Sequence, residues 1–96
     1  MPKPYFFTPQ ARLDLQEVID NVVEYTSHRS TGEKLHNEIL SKLQLISQFP
    51  QAGKAQINGT REIFARSYRI VYREKAEHIE IITIIHARRL YPRLQN

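Results

Sequence analysis

The stretch from Arg61 to Arg89 holds the side chains best suited to chemistry: Arg61, Arg66, Arg69, Arg73, His86, Arg88 and Arg89. They lie in or at the ends of strand-like segments that a small sheet must bring close together. A guanidinium is planar and permanently charged, and it binds phosphate or carboxylate through two parallel hydrogen bonds. In Tyr68-Arg69-Ile70-Val71-Tyr72-Arg73, alternation puts Tyr68, Ile70 and Tyr72 on one face and Arg69, Val71 and Arg73 on the other. The arginines then either stand as solvated charges or form an anion-binding surface at one end of the sheet. His86 precedes Arg88 and Arg89 where the last strand should run out, on the face of Ile82 and Ile84 and opposite Ile81 and Ile85. It either caps the sheet edge through a backbone carbonyl or serves as an acid, a base or a partner contact, because imidazoles titrate near neutrality. His28, His36 and His78 stand alone at a helix end, a helix flank and a strand start, and read as solvated. The chain has no Gly-rich phosphate loop, no metal-spaced His or Cys cluster and no nucleophile elbow. The expected cofactor is none, and likewise the expected metal.

Three consecutive strands must position these residues. Ser67 marks the first turn and Glu74 to Glu77 the second. The last strand is the most apolar run, with isoleucines at 79, 81, 82, 84 and 85 pointing to both faces. Upstream, Pro4 to Phe7 forms a short strand closed by Thr8-Pro9, a helix N-cap followed by a good first helical residue. Ala11, Leu15, Val18, Ile19, Val22 and Tyr25 then make one apolar helical stripe, with fraying expected at Ser27 to Ser30. Ser30 and Glu33 have capping-box spacing and open a second helix. Its stripe is Leu35, Ile39, Leu43, Ile46 and Phe49, and Pro50 ends it. Gln51 to Thr60 is the one long loop. Two amphipathic helices so closely joined are antiparallel neighbours, and the sheet is the apolar surface they can cover. The predicted fold is an α+β, two-layer β-α-α-β-β-β domain over residues 1–96, a helical hairpin on a mainly antiparallel four-stranded sheet. Tyr72 and Ile81 belong to its core.

Composition narrows the function classes. The chain has 96 residues, 41% of them hydrophobic and 25% charged, which suits one globular domain and excludes a disordered tail. It lacks cysteine, which removes disulfides and thiol chemistry and favours a reducing, cytoplasmic setting. No apolar run approaches the ~20 residues of a membrane span, and the opening Met-Pro-Lys-Pro-Tyr-Phe-Phe is too short for a signal peptide. No membrane partner is therefore expected. A formal charge of +4 favours an acidic partner, either nucleic acid or an acidic protein segment.

The chain resembles the ParE/RelE superfamily of toxins from type II toxin–antitoxin modules, and within it looks closer to ParE. The matching pieces are Phe7-Thr8-Pro9-Gln10-Ala11 with Asp14-Leu15, Ile19 and Tyr25-Thr26, then Phe49-Pro50-Gln51-Ala52-Gly53-Lys54, Arg61-Glu62, Tyr68 to Arg73, and Ile84-Ile85-His86-Ala87-Arg88-Arg89. Their order and spacing span nearly the whole chain. The resemblance implies a toxin neutralised by a cognate antitoxin whose disordered segment folds around it. It also implies that operator DNA is met only through the toxin–antitoxin complex. ParE-like members are described as inhibitors of DNA gyrase without a known catalytic site, and RelE-like members as nucleases that cut messenger RNA on the ribosome. As a nuclease, the chain would rely on Arg69, His86, Arg88 and Tyr91. As a binding toxin, its partner surface would comprise Arg61, Arg69, His86, Arg88 and Arg89. Where RelE carries a pair of lysines, this chain has Glu62 and Phe64. A carboxylate there repels a scissile phosphate, which favours ParE. A basic nucleic-acid-binding module is the third reading. Leu13, Val23 and Leu45 fall off the main helical stripes and are expected to meet the antitoxin.

Overall fold

The computed structural model describes residues 2–88, in the order β1 (Tyr5–Phe7), α1 (Pro9–Thr26), α2 (Arg29–Gln48), β2 (Lys54–Ala55), β3 (Arg61–Ala65), β4 (Tyr68–Glu74) and β5 (Ile79–His86). The two helices pack on a five-stranded sheet of order β1-β5-β4-β3-β2. The β1–β5 pair is parallel and the rest are antiparallel. The sheet thus has one strand more than the sequence predicts. The addition, β2, lies inside the expected loop and pairs only Lys54 with Glu62 and Ala55 with Arg61. Two residues are too few to show a strand period.

Thr8 caps α1 as expected, its hydroxyl accepting from the Ala11 N–H at 3.0 Å. The same cap closes the sheet edge. The pairing of β1 with β5 ends at Phe7 and Ile81, which leaves the outer edge of β5 unpaired beyond that point. The Thr8 N–H donates to the Ile81 carbonyl at 2.9 Å, and the Thr8 hydroxyl to the Ile82 carbonyl at 2.8 Å. The buried carboxylate of Asp14, one and a half turns into α1, then accepts from the Ile84 N–H at 3.2 Å and from the Thr83 hydroxyl. Helix α1 therefore satisfies backbone groups that would otherwise invite another strand.

The hairpin connection is tighter than expected. Ser27 ends α1 in the left-handed region at φ 61°, and its N–H still reaches the Val23 carbonyl. The Thr26 hydroxyl accepts from the His28 N–H at 3.2 Å, so α2 starts at Arg29 with His28 at its N-cap. Ser30 and Glu33 consequently lie within the first helical turns, and the expected capping box does not start the helix. Gly32 is buried where the helices cross, and a Cβ there would collide with Val23 Cγ2.

Beneath the hairpin, Ala11, Val18, Leu35, Ile39, Leu43 and Ile46 meet Ile70, Tyr72, Ile79, Ile81 and Ile84. A fully buried aliphatic side chain contributes roughly 1.5–3 kcal/mol, so this layer drives folding. Two expected stripe members stay out of it. Tyr25 is 91% exposed at the end of α1, and Phe49 is exposed where the chain leaves α2. Strand β5 also departs from simple alternation. Tyr72 pairs with Ile81 and Val71 with Thr83, which makes Ile82 the extra residue of a β-bulge. The bulge moves Ile84 onto the helix face with Ile79 and Ile81. His86, opposite Tyr68, follows onto that face too, and does not oppose Ile81 as alternation predicted.

Candidate functional site

Residues paired across the ladder share a face, so Glu62, Phe64, Arg69, Val71, Thr83 and Ile85 lie on the sheet face away from the helices. Arg69 stands between Phe64 on β3 and Ile85 on β5. It is neither an open nor a solvated charge, being only 8% exposed. Its Nη1 donates to Glu62 Oε1 at 3.0 Å, and Glu62 is itself 7% exposed. The expectation that Arg69 stands as a solvated charge is corrected accordingly. Strands flank it on both sides, and its hydrogen-bond acceptor is the carboxylate on β3. Arg69 Nε and Nη2 and Arg73 Nε are buried and have no partner among the described residues.

Arg61 occupies the opposite end of β3 from the hairpin turn. Its Nη1 donates to the Gly53 carbonyl at 2.9 Å and to the Gln51 carbonyl at 3.4 Å. The Tyr72 hydroxyl works on the same segment, donating to the Pro50 carbonyl and accepting from the Gly53 N–H, both at 2.8 Å. Burial raises the Tyr72 pKa above its ordinary value. Together these two side chains fasten the turn after α2 to the sheet. Arg61 is four residues along β3 from Ala65, which pairs with Tyr68 beside His86, so about 13 Å of strand separates it from that end. The expected convergence of basic residues on one sheet end therefore fails for Arg61.

At that far end a second group does assemble. His86 is exposed at the end of β5, and its ring meets Tyr68 edge to face with centroids 5.6 Å apart. Its Nδ1 accepts from the Arg88 N–H at 3.2 Å, so it does not cap a backbone carbonyl among the described residues. Arg88 is exposed one turn beyond. Arg89 and Tyr91 lie outside the described residues. Arg66, at the β3–β4 turn, adopts φ 56°, which is uncommon for a side-chain-bearing residue. Glu38 braces it, accepting from both the Arg66 N–H and Nε. Arg66, Tyr68 and His86, with Tyr25, Val22 and Leu35 of the hairpin, line a cleft of about 740 Å³. Sequence periodicity did not reveal this cleft, because it assigned Tyr25 to the core. Among the described residues no group of three His, Cys, Asp or Glu side chains is placed to hold a metal ion.

The same fold occurs in known proteins. Residues 5–91 match the family model for the ParE toxin of the type II toxin–antitoxin system parDE. The chain belongs to the ParE toxin family. Its fold is similar to a chain of the chromosomal ParDE TA system from P. aeruginosa, with a TM-score of 0.74 and 19% identity over 88% of this chain and 95% of that one. It is also similar to a chain of the toxin–antitoxin complex RelBE2 from Mycobacterium tuberculosis, with a TM-score of 0.57 and 25% identity over 90% and 99%. No curated protein matches the chain. The family resemblance read from the sequence, and the two-layer α+β architecture, are both borne out. Among the described residues no helix of this ParE-family protein is long and apolar enough to cross a membrane.

Proposed function

We propose that this ParE-family toxin inhibits growth by binding DNA gyrase and that it is not a nuclease. The carrying observation is the Arg69–Glu62 pair. An arginine that is to stabilise charge building up on a scissile phosphate must offer its positive field to that phosphate. Here the guanidinium is buried against a carboxylate 3.0 Å away, so its field is largely cancelled before any RNA arrives. His86 and Arg88 remain exposed beside Tyr68. With the cleft at their side they suit contact with a folded protein partner, and together with Arg89 they make up the proposed target surface. Arg61 is removed from that surface by its bonds to the Gln51 and Gly53 carbonyls. The discriminating experiment measures purified toxin in gyrase supercoiling and, separately, in cleavage of messages on translating ribosomes. Loss of supercoiling with intact messages is expected, and ribosome-dependent cleavage with supercoiling untouched would overturn the reading. Salt-sensitive binding to bare DNA with neither activity would favour the nucleic-acid-binding module.

The cognate antitoxin is proposed to wrap the helical hairpin with an acidic amphipathic segment. Leu13 is 68% exposed on α1, and Leu45 lies exposed on α2. Both stand off the stripes that meet the sheet, as the sequence led us to expect, whereas Val23 is half-buried against the Gly32 crossing. Apolar anchors of this kind hold a complex that keeps most of its affinity at ~1 M salt, where screening removes exposed charge contacts. A titration with antitoxin peptide at low and high salt checks it, and near-complete loss of affinity in high salt would refute apolar anchoring.

A further inference from the structure

We propose that the free edge of the Arg69 guanidinium is a receptor for a carboxylate on an acidic segment of a protein partner. Nη1 is occupied by Glu62 Oε1 at 3.0 Å, which fixes the plane of the group. The two nitrogens left without partners among the described residues are Nε and Nη2. In a guanidinium these lie on one edge, and their two N–H bonds run parallel at the spacing of the two oxygens of a carboxylate. The unmet donors thus form one complete bidentate fork and are not scattered. Both are buried, and a buried charged donor without an acceptor is costly enough to need an explanation. Glu62 is the positioning residue, since it holds the fork in one orientation.

The surroundings favour a protein carboxylate over nucleic acid. Arg69 and Glu62 together carry no net charge, so a run of anionic groups gains nothing here beyond the one group that enters the fork. The choice between a carboxylate and a phosphate rests on the apolar neighbour beside it. The exposed ladder neighbour Phe64 suits an apolar residue of a peptide. Phe64 stands directly opposite Arg69 and is 51% exposed, and a side-chain movement there is required to bring the buried fork within reach. Arg73 lies four residues along the same face, and its buried Nε also lacks a partner among the described residues. In an extended chain, side chains on one side recur every second residue, so an acidic segment lying along β4 presents acceptors to both arginines. That this segment belongs to the antitoxin rests on the toxin reading; the carboxylate chemistry does not.

The test uses the full-length 15N-labelled protein, with the Arg69 Nε–H signal assigned by its absence in Arg69→Lys. Hexaglutamate and a single-stranded RNA hexamer are titrated separately. The expected result is a saturable shift of the Arg69 Nε–H signal with hexaglutamate, and an affinity weakened by about tenfold in Arg69→Lys, because lysine offers no planar fork. Failure of the signal to move with hexaglutamate would overturn the proposal. Movement with RNA alone would also overturn it and assign the fork to phosphate. Should Arg69→Lys fail to fold, single Arg→Lys variants at the other eight arginines supply the assignment by elimination and the wild-type titration decides. Growth inhibition on expression tests the toxin reading independently, so the two failures remain distinguishable.

Discussion

Replacing Glu62 with alanine isolates what the buried ion pair contributes. The two side chains are 10% and 7% exposed and 3.0 Å apart, so neither charge has a solvent shell to fall back on. Their attraction is about 5 kcal/mol at an effective dielectric near 20, but much of it is offset by desolvation of both groups. Removing only the carboxylate leaves the desolvation of Arg69 and discards the attraction, a loss of about 3–5 kcal/mol. For a domain of this size, whose stability is about 5–14 kcal/mol, that is a large fraction. At about 4–8 °C per kcal/mol, it lowers the melting temperature by about 12–40 °C. Urea denaturation followed by far-UV circular dichroism measures it, with Glu62→Met, Arg69→Met and the double variant completing a cycle. The double variant should recover most of the loss, because packed apolar side chains need no partner charge. A cost below ~1 kcal/mol for Glu62→Ala would show that the pair is solvated. A double variant as unstable as the sum of the singles would show that packing, not charge pairing, is at stake. Either result would remove the main argument against a nuclease.

The remaining predictions concern the turn after α2 and the basic end of β5. Tyr72→Phe strips the Gly53 N–H and Pro50 carbonyl of their partner and should cost about 1–3 kcal/mol. Because burial raises the Tyr72 pKa above 10.0, the unfolded chain loses this proton first. Its contribution is therefore fully present below pH 10 and falls as pH climbs towards the folded value, so wild type should lose stability more steeply there than Tyr72→Phe in urea titrations. A Cβ at Gly53 would sit 2.6 Å from the Tyr72 hydroxyl oxygen and 2.9 Å from the Glu62 carbonyl, so Gly53→Ala should destabilise by about 1–3 kcal/mol, read as a lower melting temperature. Arg88→Ala combined with Arg89→Ala should abolish growth inhibition while costing under ~0.5 kcal/mol of stability. Arg61→Ala should do the reverse, keeping toxicity and losing about 1–2 kcal/mol through its bonds to Gln51 and Gly53.

What the sequence disclosed, and what it hid, follows from the range of the interactions involved. Thr8-Pro9, the apolar stripe that buries Leu35, Ile39, Leu43 and Ile46, and the strand-rich stretch from Arg61 are local signals, and each has its expected place in the fold. The features that escaped it depend on which residue lies across the ladder. Alternation placed Arg69 on the correct face, yet a face is not an exposure: Phe64, Ile85 and Glu62 come from other strands, and the pairing with Glu62 exists only once β3 lies beside β4. The bulge at Ile82 is likewise a disagreement between two registers, which neither strand carries alone. Asp14 looks like one more polar helix position until β1 stops at Phe7 and leaves the Ile84 N–H to be satisfied. The basic residues illustrate the consequence for function. Arg61, Arg69 and Arg88 are equivalent as letters, but the fold makes the first a fastener of a turn, the second one half of a buried pair and the third an exposed charge. Charge counted along the chain overstates the surface available to an acidic partner, and the arginines that remain for recognition are those whose donors the fold leaves unmade.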